Sequence, residues 1–340
     1  MVSTIAESWR YRVPRLLASH ILRVLPMTAH ILRVLPIPKE QKFIIGGFIE
    51  KNLRSVASPR KVVQMVEGFK MDLDLSDSIE LQMYYSRLYG PAVTSLFKHL
   101  LMPGDTVIDG GANIGYFSLL AAKYVGEHGR VYSFEPVPQT FETLNKNVHL
   151  NTFTNICTNR LALTQSAGEL RLEIPTDTYT GNPLGRLATT ALLGRGSQAV
   201  VSAVTLDEYA NCSGITSIKL VKLDIEGGEV AAIAGMRQLL SKHRISYLIC
   251  ESCTIFLDQM GIPYSAMQEA LSEYNYSCYL IKRPKRAWIG VEPVDLVAIS
   301  LKDTLAGQLP PNRSLLPDGS AIDDYLFAAP GMAIPRDMTT

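Results

Sequence analysis

Alternation between apolar, strand-like runs and helix-like stretches constrains the fold of this chain more than any other feature. From residue 105 onward, short runs rich in Val, Ile and Leu are separated by segments with helical periodicity, such as 138–150. The strand-like runs are 106–109, 130–135, 155–163, 217–225 and 245–251. This alternation predicts a parallel β-sheet that is covered by helices on both faces, with right-handed crossovers.

Length and composition indicate one large globular domain with attachments, since 47% of the 340 residues are hydrophobic. We divide the chain into a basic, helical N-terminal extension (1–65), a main domain (66–301) and a proline-punctuated C-terminal tail (302–340). Residues 66–89 predict a hairpin that leads to a helix. Residues 176–200 are rich in Gly, Thr and Ala, which predicts a long loop, either a lid over a substrate or a surface insertion.

The charges are unevenly distributed along the chain. The first 60 residues hold ten Lys and Arg against three Asp and Glu, whereas the other 280 hold 23 against 29. Because the main part of the chain is acidic, a nucleic-acid partner is disfavoured. The segment HILRVLP occurs at 20–26 and again at 30–36, and each copy predicts a short, basic, amphipathic helix. Such helices suit peripheral membrane contact through residues 1–60, and they equally suit packing onto the body of the protein.

Cysteine usage and hydropathy favour a cytoplasmic protein. Five scattered cysteines predict reduced thiols, and Cys250 and Cys253 lie within a strand-like run where positions three apart face opposite sides. No apolar run is long enough to span a membrane, and the N-terminal residues lack a clear signal-peptide core.

The segment 109-DGGANIG-115 joins an apolar run to a helix-like stretch and has the composition of a ligand-binding turn. A phosphate-binding P-loop needs Lys and then Ser or Thr after its last glycine, where this chain has Tyr116 and Phe117. The dinucleotide fingerprint G-x-G-x-x-G fits no frame of the segment. The P-loop interpretation is therefore excluded, and the missing fingerprint argues against a dinucleotide site.

The remaining pattern, D-x-G-x-N-x-G, resembles the first motif of S-adenosylmethionine-dependent methyltransferases. The resemblance implies that Asp109, Gly111, Ala112, Asn113 and Gly115 bind this cofactor. Glycines without a Cβ atom allow close approach of a ligand. A carboxylate at Asp109 can orient the cationic methionine end through its amino group or an ordered water.

Four acidic residues follow strand-like runs and are candidates for chemistry. Glu135 ends the run 130–135, where a carboxylate can accept hydrogen bonds from both ribose hydroxyls of a nucleoside. Asp224 and Glu226 emerge from a buried run, and Glu251 ends the next one. If the acceptor is an alcohol, Asp224 or Glu226 is the expected general base, with Glu251 as a third candidate. The alternative is that these three carboxylates hold a divalent metal.

Four segments, DGGANIGYFSLLAA, GRVYSFEPVP, VTLDEY and KLDIEGGE, occur in the order and spacing that resemble the FkbM family of methyltransferases. The resemblance covers about residues 66–255. It implies a Rossmann-like class I methyltransferase fold with a mostly parallel, seven-stranded sheet, in which 276–282 and 294–300 are the expected sixth and seventh strands. Two positions depart from the family pattern, because Gly90 stands where members often have Glu and Gly228 where many have His.

The resemblance also implies methylation of a hydroxyl group on a sugar, a glycan or a specialised metabolite. Methylation at nitrogen remains an alternative, as does a module that binds the cofactor or a membrane surface without catalysis. A nicotinamide-dependent enzyme is a further alternative, against which the missing G-x-G-x-x-G argues.

Overall fold

A computed structural model describes residues 60–175, 186–187, 196–282, 295–299 and 322–334. The predicted helical extension, with its HILRVLP repeat, lies outside these residues except for 60–65. None of the helices in the described ranges is long and apolar enough to cross a membrane.

Fourteen strands occur within the described residues: β1 (Arg60–Gln64), β2 (Lys70–Asp74), β3 (Thr106–Gly110), β4 (Arg130–Phe134), β5 (Ile156–Asn159), β6 (Ala162–Leu163), β7 (Gly168–Pro175), β8 (Arg186–Leu187), β9 (Gly196–Val204), β10 (Ile218–Leu223), β11 (Ile245–Cys253), β12 (Ser277–Lys282), β13 (Asp295–Ile299) and β14 (Ile322–Ala328). Nine helices accompany them: α1 (Ser78–Ser86), α2 (Pro91–Leu100), α3 (Tyr116–Val125), α4 (Pro138–His149), α5 (Leu206–Cys212), α6 (Glu229–Ala234), α7 (Arg237–Ser241), α8 (Thr254–Met260) and α9 (Ala266–Ser272).

Among the described residues, the main sheet has eight strands where seven were expected, in the order β13-β12-β14-β11-β10-β3-β4-β5. Strands β5, β4, β3, β10 and β11 pair in parallel, while β14 runs antiparallel to both β11 and β12. The neighbouring residues Val107 and Ile108 belong to two different hydrophobic clusters, because successive side chains of a strand point to opposite faces. Helices therefore cover both faces, and the predicted α/β, Rossmann-like class I fold is confirmed.

The helices begin where the local sequence supplies a cap or a fixed backbone angle. The Asp77 carboxylate accepts the Glu80 N–H at 2.8 Å and so caps α1. Pro91 and Pro138 stand in the first turns of α2 and α4, where the missing N–H of proline costs nothing. Each of these starts places a helix directly after a strand or a turn, as the alternating pattern requires.

The VTLDEY segment stabilises two helices. Thr205 Oγ1 accepts the Glu208 N–H at 3.1 Å and caps α5. The Asp207 carboxylate accepts the N–H groups of Gln238 and Leu239 at 2.8 and 3.0 Å, at the start of α7. This part of the family-like pattern therefore has a structural role.

The first hairpin begins earlier than expected. Strand β1 starts at Arg60 and pairs antiparallel with β2, so the boundary at 65/66 falls inside a hairpin. The sequence pattern concealed β1 because Val63 is its only buried residue, while Val62 is 54% exposed.

A smaller sheet with the order β6-β9-β7-β8 lies beside the main one. The expected strand 155–163 is divided between the two sheets, because β5 ends at Asn159 and β6 belongs to the smaller sheet. Asn159 Nδ2 donates to Ser133 O at 3.2 Å, which holds the end of β5 against β4. Residues 196–200 of the expected loop form part of β9, which pairs with β7; most of the other residues of that loop lie outside the described ranges.

The strands from the C-terminal part of the chain differ from the prediction that 294–300 is the seventh strand. Strand β13 (294–300 in the prediction) is an edge strand, and the antiparallel seventh position between β11 and β12 is occupied by β14. This strand comes from residues 302–340, the segment predicted to be a proline-punctuated C-terminal tail. Its pairing is explained by burial, since Tyr325, Leu326 and Phe327 are fully buried between the two helix layers.

Candidate active site

A cavity of about 460 Å³ lies beyond the carboxyl ends of β3, β4, β10 and β11. In open α/β sheets this is the edge at which ligands bind. Of the residues singled out in the sequence, the cavity wall includes Gly111, Ala112, Asn113, Glu135, Asp224, Glu226 and Glu251. Asp109 and Gly115 lie behind this wall. The structure thus brings seven of the nine candidates together around one space.

The two motif glycines of the turn are required by contacts within the protein. Gly111 has φ +72°, and a Cβ there would stand 1.9 Å from the Asp224 carbonyl oxygen. Gly115 has φ +96° at the start of α3, and its Cβ would stand 2.7 Å from Leu144 Cδ1. The close approach that these glycines permit is therefore between the turn and its protein neighbours.

Glu135 lies at the end of β4 and is 6% exposed. Its Oε2 accepts the Asn113 N–H and its Oε1 accepts the Val137 N–H, both at 3.0 Å. Burial raises the pKa of Glu135 to about 7, and the two backbone N–H groups partly oppose this effect. The carboxylate is thus fixed in position against the glycine turn, at the wall of the cavity.

Asn113 combines an unusual backbone with an unused acceptor. Its φ is +50°, in the left-handed region that few non-glycine residues adopt. Within the described ranges no hydrogen bond reaches its buried Oδ1. Because buried acceptors are nearly always paired in native proteins, this oxygen is suited to a donor supplied by a ligand.

Asp109 is fully buried and has its contacts behind the turn. Its Oδ2 accepts the Ser118 hydroxyl at 2.6 Å, and Ser118 Oγ accepts the Ser133 hydroxyl at 2.7 Å. Burial raises the pKa of Asp109, opposed by the charge of Lys222 and the hydrogen bond from Ser118. The carboxylate supports the floor of the cavity, and no hydrogen bond reaches its Oδ1 within the described residues.

Lys222 lines the cavity, and the sequence analysis did not single it out. It lies in β10 with its side chain 5% exposed, and Nζ donates to Asp224 Oδ2 at 3.1 Å. Asp109 Oδ1 is 3.9 Å from Nζ, and the Phe117 ring centroid is 4.9 Å away. A lysine inside the apolar run 217–225 was the available signal, because a buried cation requires partners.

The turn after β10 is held by a buried acid. Glu229 Oε1 accepts the N–H groups of Ile225 and Gly227, at 2.9 and 3.4 Å. Burial raises the pKa of Glu229 to about 7. Glu226 has φ +54° in this turn. A non-glycine residue in this conformation costs about 1–3 kcal/mol, and such positions cluster at functional sites.

Glu251 reaches the cavity from β11, where it pairs in register with Asp324 of β14. No group of three His, Cys, Asp or Glu side chains that could hold a metal ion occurs in the part of the chain that the structure describes. Asp224, Glu226 and Glu251 lie at the same cavity and do not form such a group in the structure.

The polar groups of the cavity fit S-adenosylmethionine. Its ribose hydroxyls, amino group and adenine amine are donors, and the wall offers acceptors in the Glu135 carboxylate and Asn113 Oδ1. Apolar side chains of the cavity wall suit an adenine ring, among them Phe134, Leu161 and Leu163.

This sheet order and this acceptor-lined cavity define an S-adenosylmethionine-dependent methyltransferase of the class I fold. The family model for the methyltransferase FkbM domain matches residues 109–278, which is half of the chain. The chain belongs to this FkbM methyltransferase family.

Three proteins of known description are similar to the chain. Methyltransferase sdnD of Sordaria araneosa is 25% identical over 199 residues, which cover 51% of this chain and 75% of that protein. Hexuronic acid methyltransferase AglP of Haloferax volcanii is 26% identical over 178 residues, 52% of this chain and 66% of that protein. The 31-O-demethyl-FK506 methyltransferase FkbM of Streptomyces tacrolimicus is 28% identical over 162 residues, 40% of this chain and 61% of that protein.

Proposed function

We propose that this enzyme transfers a methyl group from S-adenosylmethionine to a hydroxyl group of a sugar, a glycan or a specialised metabolite. The observation that carries the proposal is the Asp224 carboxylate, which is 27% exposed at the cavity wall and held by Lys222. A carboxylate in this place can accept the proton of an alcohol. Two relatives support the acceptor class, since their names give a hexuronic acid and an O-demethyl compound.

The cofactor side of the proposal rests on Glu135 and the glycine turn. Glu135 accepts the ribose hydroxyls, and Asn113 Oδ1 accepts a further donor of the cofactor. Gly111, Ala112 and Gly115 shape the turn, and Asp109 supports it from behind. When bound, S-adenosylmethionine supplies a methyl group on a cationic sulfur, which is released as a neutral thioether.

On the acceptor side, the hydroxyl oxygen forms the new C–O bond and its proton passes to Asp224. Alignment of the acceptor can lower the activation barrier of such a displacement by about 7–11 kcal/mol. A general base can raise its rate by about 10²–10⁴-fold. Glu226 and Glu251 line the same cavity and are the second and third candidates for the base. The side chains that do this work belong to β10, its turn and β11.

Incubation with labelled S-adenosylmethionine and a panel of acceptors tests the proposal. The panel contains methyl glucuronide, aliphatic alcohols, the matching amines and the same glycoside with its hydroxyls blocked. Methylation of the free hydroxyls alone supports the proposal, and methylation of the amines alone would replace it with nitrogen transfer. Asp224→Asn should lower kcat by about 10²–10⁴-fold. Asp258→Asn, at an exposed position of α8, is the matched control and should change kcat little.

We further propose a cytoplasmic enzyme, with peripheral membrane contact through the basic residues 1–60. Sedimentation with anionic phospholipid vesicles compares the full chain with a chain that lacks 1–59, which keeps the hairpin of β1 and β2 intact. Loss of binding on deletion supports the contact, and equal partitioning of the two chains would remove it.

A further inference from the structure

One buried cation links the two sides of the active site. Lys222 pairs in register with Asp109 of β3, so both side chains stand on the same face of the sheet. Asp224 follows two residues later, on that same face. The Lys222 ammonium therefore lies between a carboxylate under the glycine turn and a carboxylate at the cavity wall.

The geometry limits where this ammonium can go. Phe117, from α3, covers it with its ring face 4.9 Å away, and only 5% of the lysine side chain is exposed. Within the described residues the ammonium donates one hydrogen bond, to Asp224 Oδ2 at 3.1 Å. The charge-assisted hydrogen bond and the ring that covers the ammonium together hold the Asp224 carboxylate in one place.

The charges explain why the link persists. Burial disfavours the ammonium, but the carboxylates of Asp224 and Asp109 outweigh this effect and raise the pKa of Lys222. The charge of Glu251, in β11, also raises the pKa of Lys222, but by a smaller amount. Two carboxylates thus share one cation, and removing the cation would leave Asp109 buried without a counter-charge.

We propose that Lys222 is a positioning residue for methyl transfer, whose ammonium holds the Asp224 carboxylate at the cavity wall and anchors it to Asp109 beneath the glycine turn. The inference rests on the proposed function of Asp224 as the base. It means that the turn that binds the cofactor and the carboxylate that meets the acceptor are aligned through one side chain.

The first test needs no acceptor. Crystal structures with S-adenosylhomocysteine compare the wild type, Lys222→Met and Lys219→Met, a control in the same strand whose ammonium lies over Tyr247. In Lys222→Met the Asp224 carboxylate should move by about 1 Å or more, a displacement that can cost about 10²-fold in rate. An Asp224 carboxylate that keeps its position would overturn the proposal.

The second test separates positioning from folding through kinetics with any hydroxyl acceptor that the wild type methylates. Lys222→Met should lower kcat by about 10²-fold and change KM for S-adenosylmethionine less than about threefold. Lys222→Arg should have a kcat at least about tenfold higher than that of Lys222→Met, because arginine restores the positive charge. Lys219→Met should behave as the wild type.

Unchanged kcat in Lys222→Met, a loss confined to KM, or no rescue by arginine would each contradict the positioning role. A wild type that methylates no hydroxyl would refute the proposed function instead, and the crystal structures would then decide the role of Lys222 alone. If Lys222→Met does not fold, the double variant with Asp109→Asn removes the uncompensated charge and takes its place in both tests.

Discussion

Replacing Gly111 with alanine tests how tightly the glycine turn is packed against the turn after β10. The new Cβ would lie 1.9 Å from the Asp224 carbonyl oxygen, a distance that no real Cβ contact shows. The two segments must separate, which breaks or stretches the Asp224 N–H to Gly110 O hydrogen bond of 3.1 Å. Overpacking and the lost hydrogen bond together cost about 2–4 kcal/mol. The positive φ adds about 1–2 kcal/mol for alanine.

Urea unfolding measures this cost against a matched control. Gly261 also has a left-handed backbone, with φ +65°, and a Cβ there would meet nothing within 4 Å. In Gly261→Ala the free energy of unfolding should therefore fall only by the backbone cost of about 1–2 kcal/mol. In Gly111→Ala it should fall by about 2–4 kcal/mol more than that. Gly111→Ala should also weaken S-adenosylmethionine binding, while Gly261→Ala should not. Two variants within about 0.5 kcal/mol of each other would refute the packing argument.

Three further changes have defined outcomes. The wild type should bind S-adenosylmethionine less tightly below about pH 7, because burial raises the pKa of Glu135 to about 7 and the ligand's donors favour its ionised form. Glu135→Gln should abolish this fall in affinity, and calorimetry between pH 6 and 8 measures it. Asn147→Ala should lower the free energy of unfolding by about 2–4 kcal/mol in urea, since its buried amide accepts the Asp72 N–H at 2.7 Å and donates to Ile114 O at 2.8 Å. Glu67→Gln should destabilise the protein by about 1–3 kcal/mol at pH 7, and its difference from the wild type should shrink as the pH falls below 4.5, the ordinary pKa of a glutamate, as thermal unfolding over this pH range would show. Although burial opposes it, bonding to Tyr124, Lys123 and Lys98 lowers the pKa of Glu67, so its contribution is present at neutral pH and is lost as the carboxylate protonates.

The residues that line the candidate site could be singled out from the sequence because they follow from local rules. Glu135, Asp224 and Glu251 each end or follow an apolar run, and the carboxyl ends of parallel strands meet at one edge of a sheet. The glycine turn was recognisable by its spacing alone. The structure adds a second physical reason for Gly111, because its missing Cβ makes room for the carbonyl of Asp224.

The strands that pair over long distances could not be placed from local patterns. Strand β14 lies between β11 and β12, although about 40 residues separate it from β12 in the chain. Prolines on both sides of this strand, among them Pro317 and Pro330, made the segment look like an irregular tail. The division of 155–163 between two sheets was equally hidden, since both halves have strand-like composition.

Lys222 and Glu229 show a different limit. Both are charged residues whose roles depend on partners that burial brings together: Asp109 and Asp224 for the lysine, and backbone N–H groups for the glutamate. A sequence shows the charge within or beside an apolar run, but the identity of the partner depends on the strand register.

Calorimetric titration of the purified protein with S-adenosylmethionine tests the central claim most directly. The wild type should bind, Glu135→Ala should lose binding, and Glu142→Ala, at an exposed position of α4, should bind as the wild type does. Folded wild-type protein that does not bind S-adenosylmethionine, or Glu135→Ala that binds it unchanged, would contradict the account of the cavity as its site.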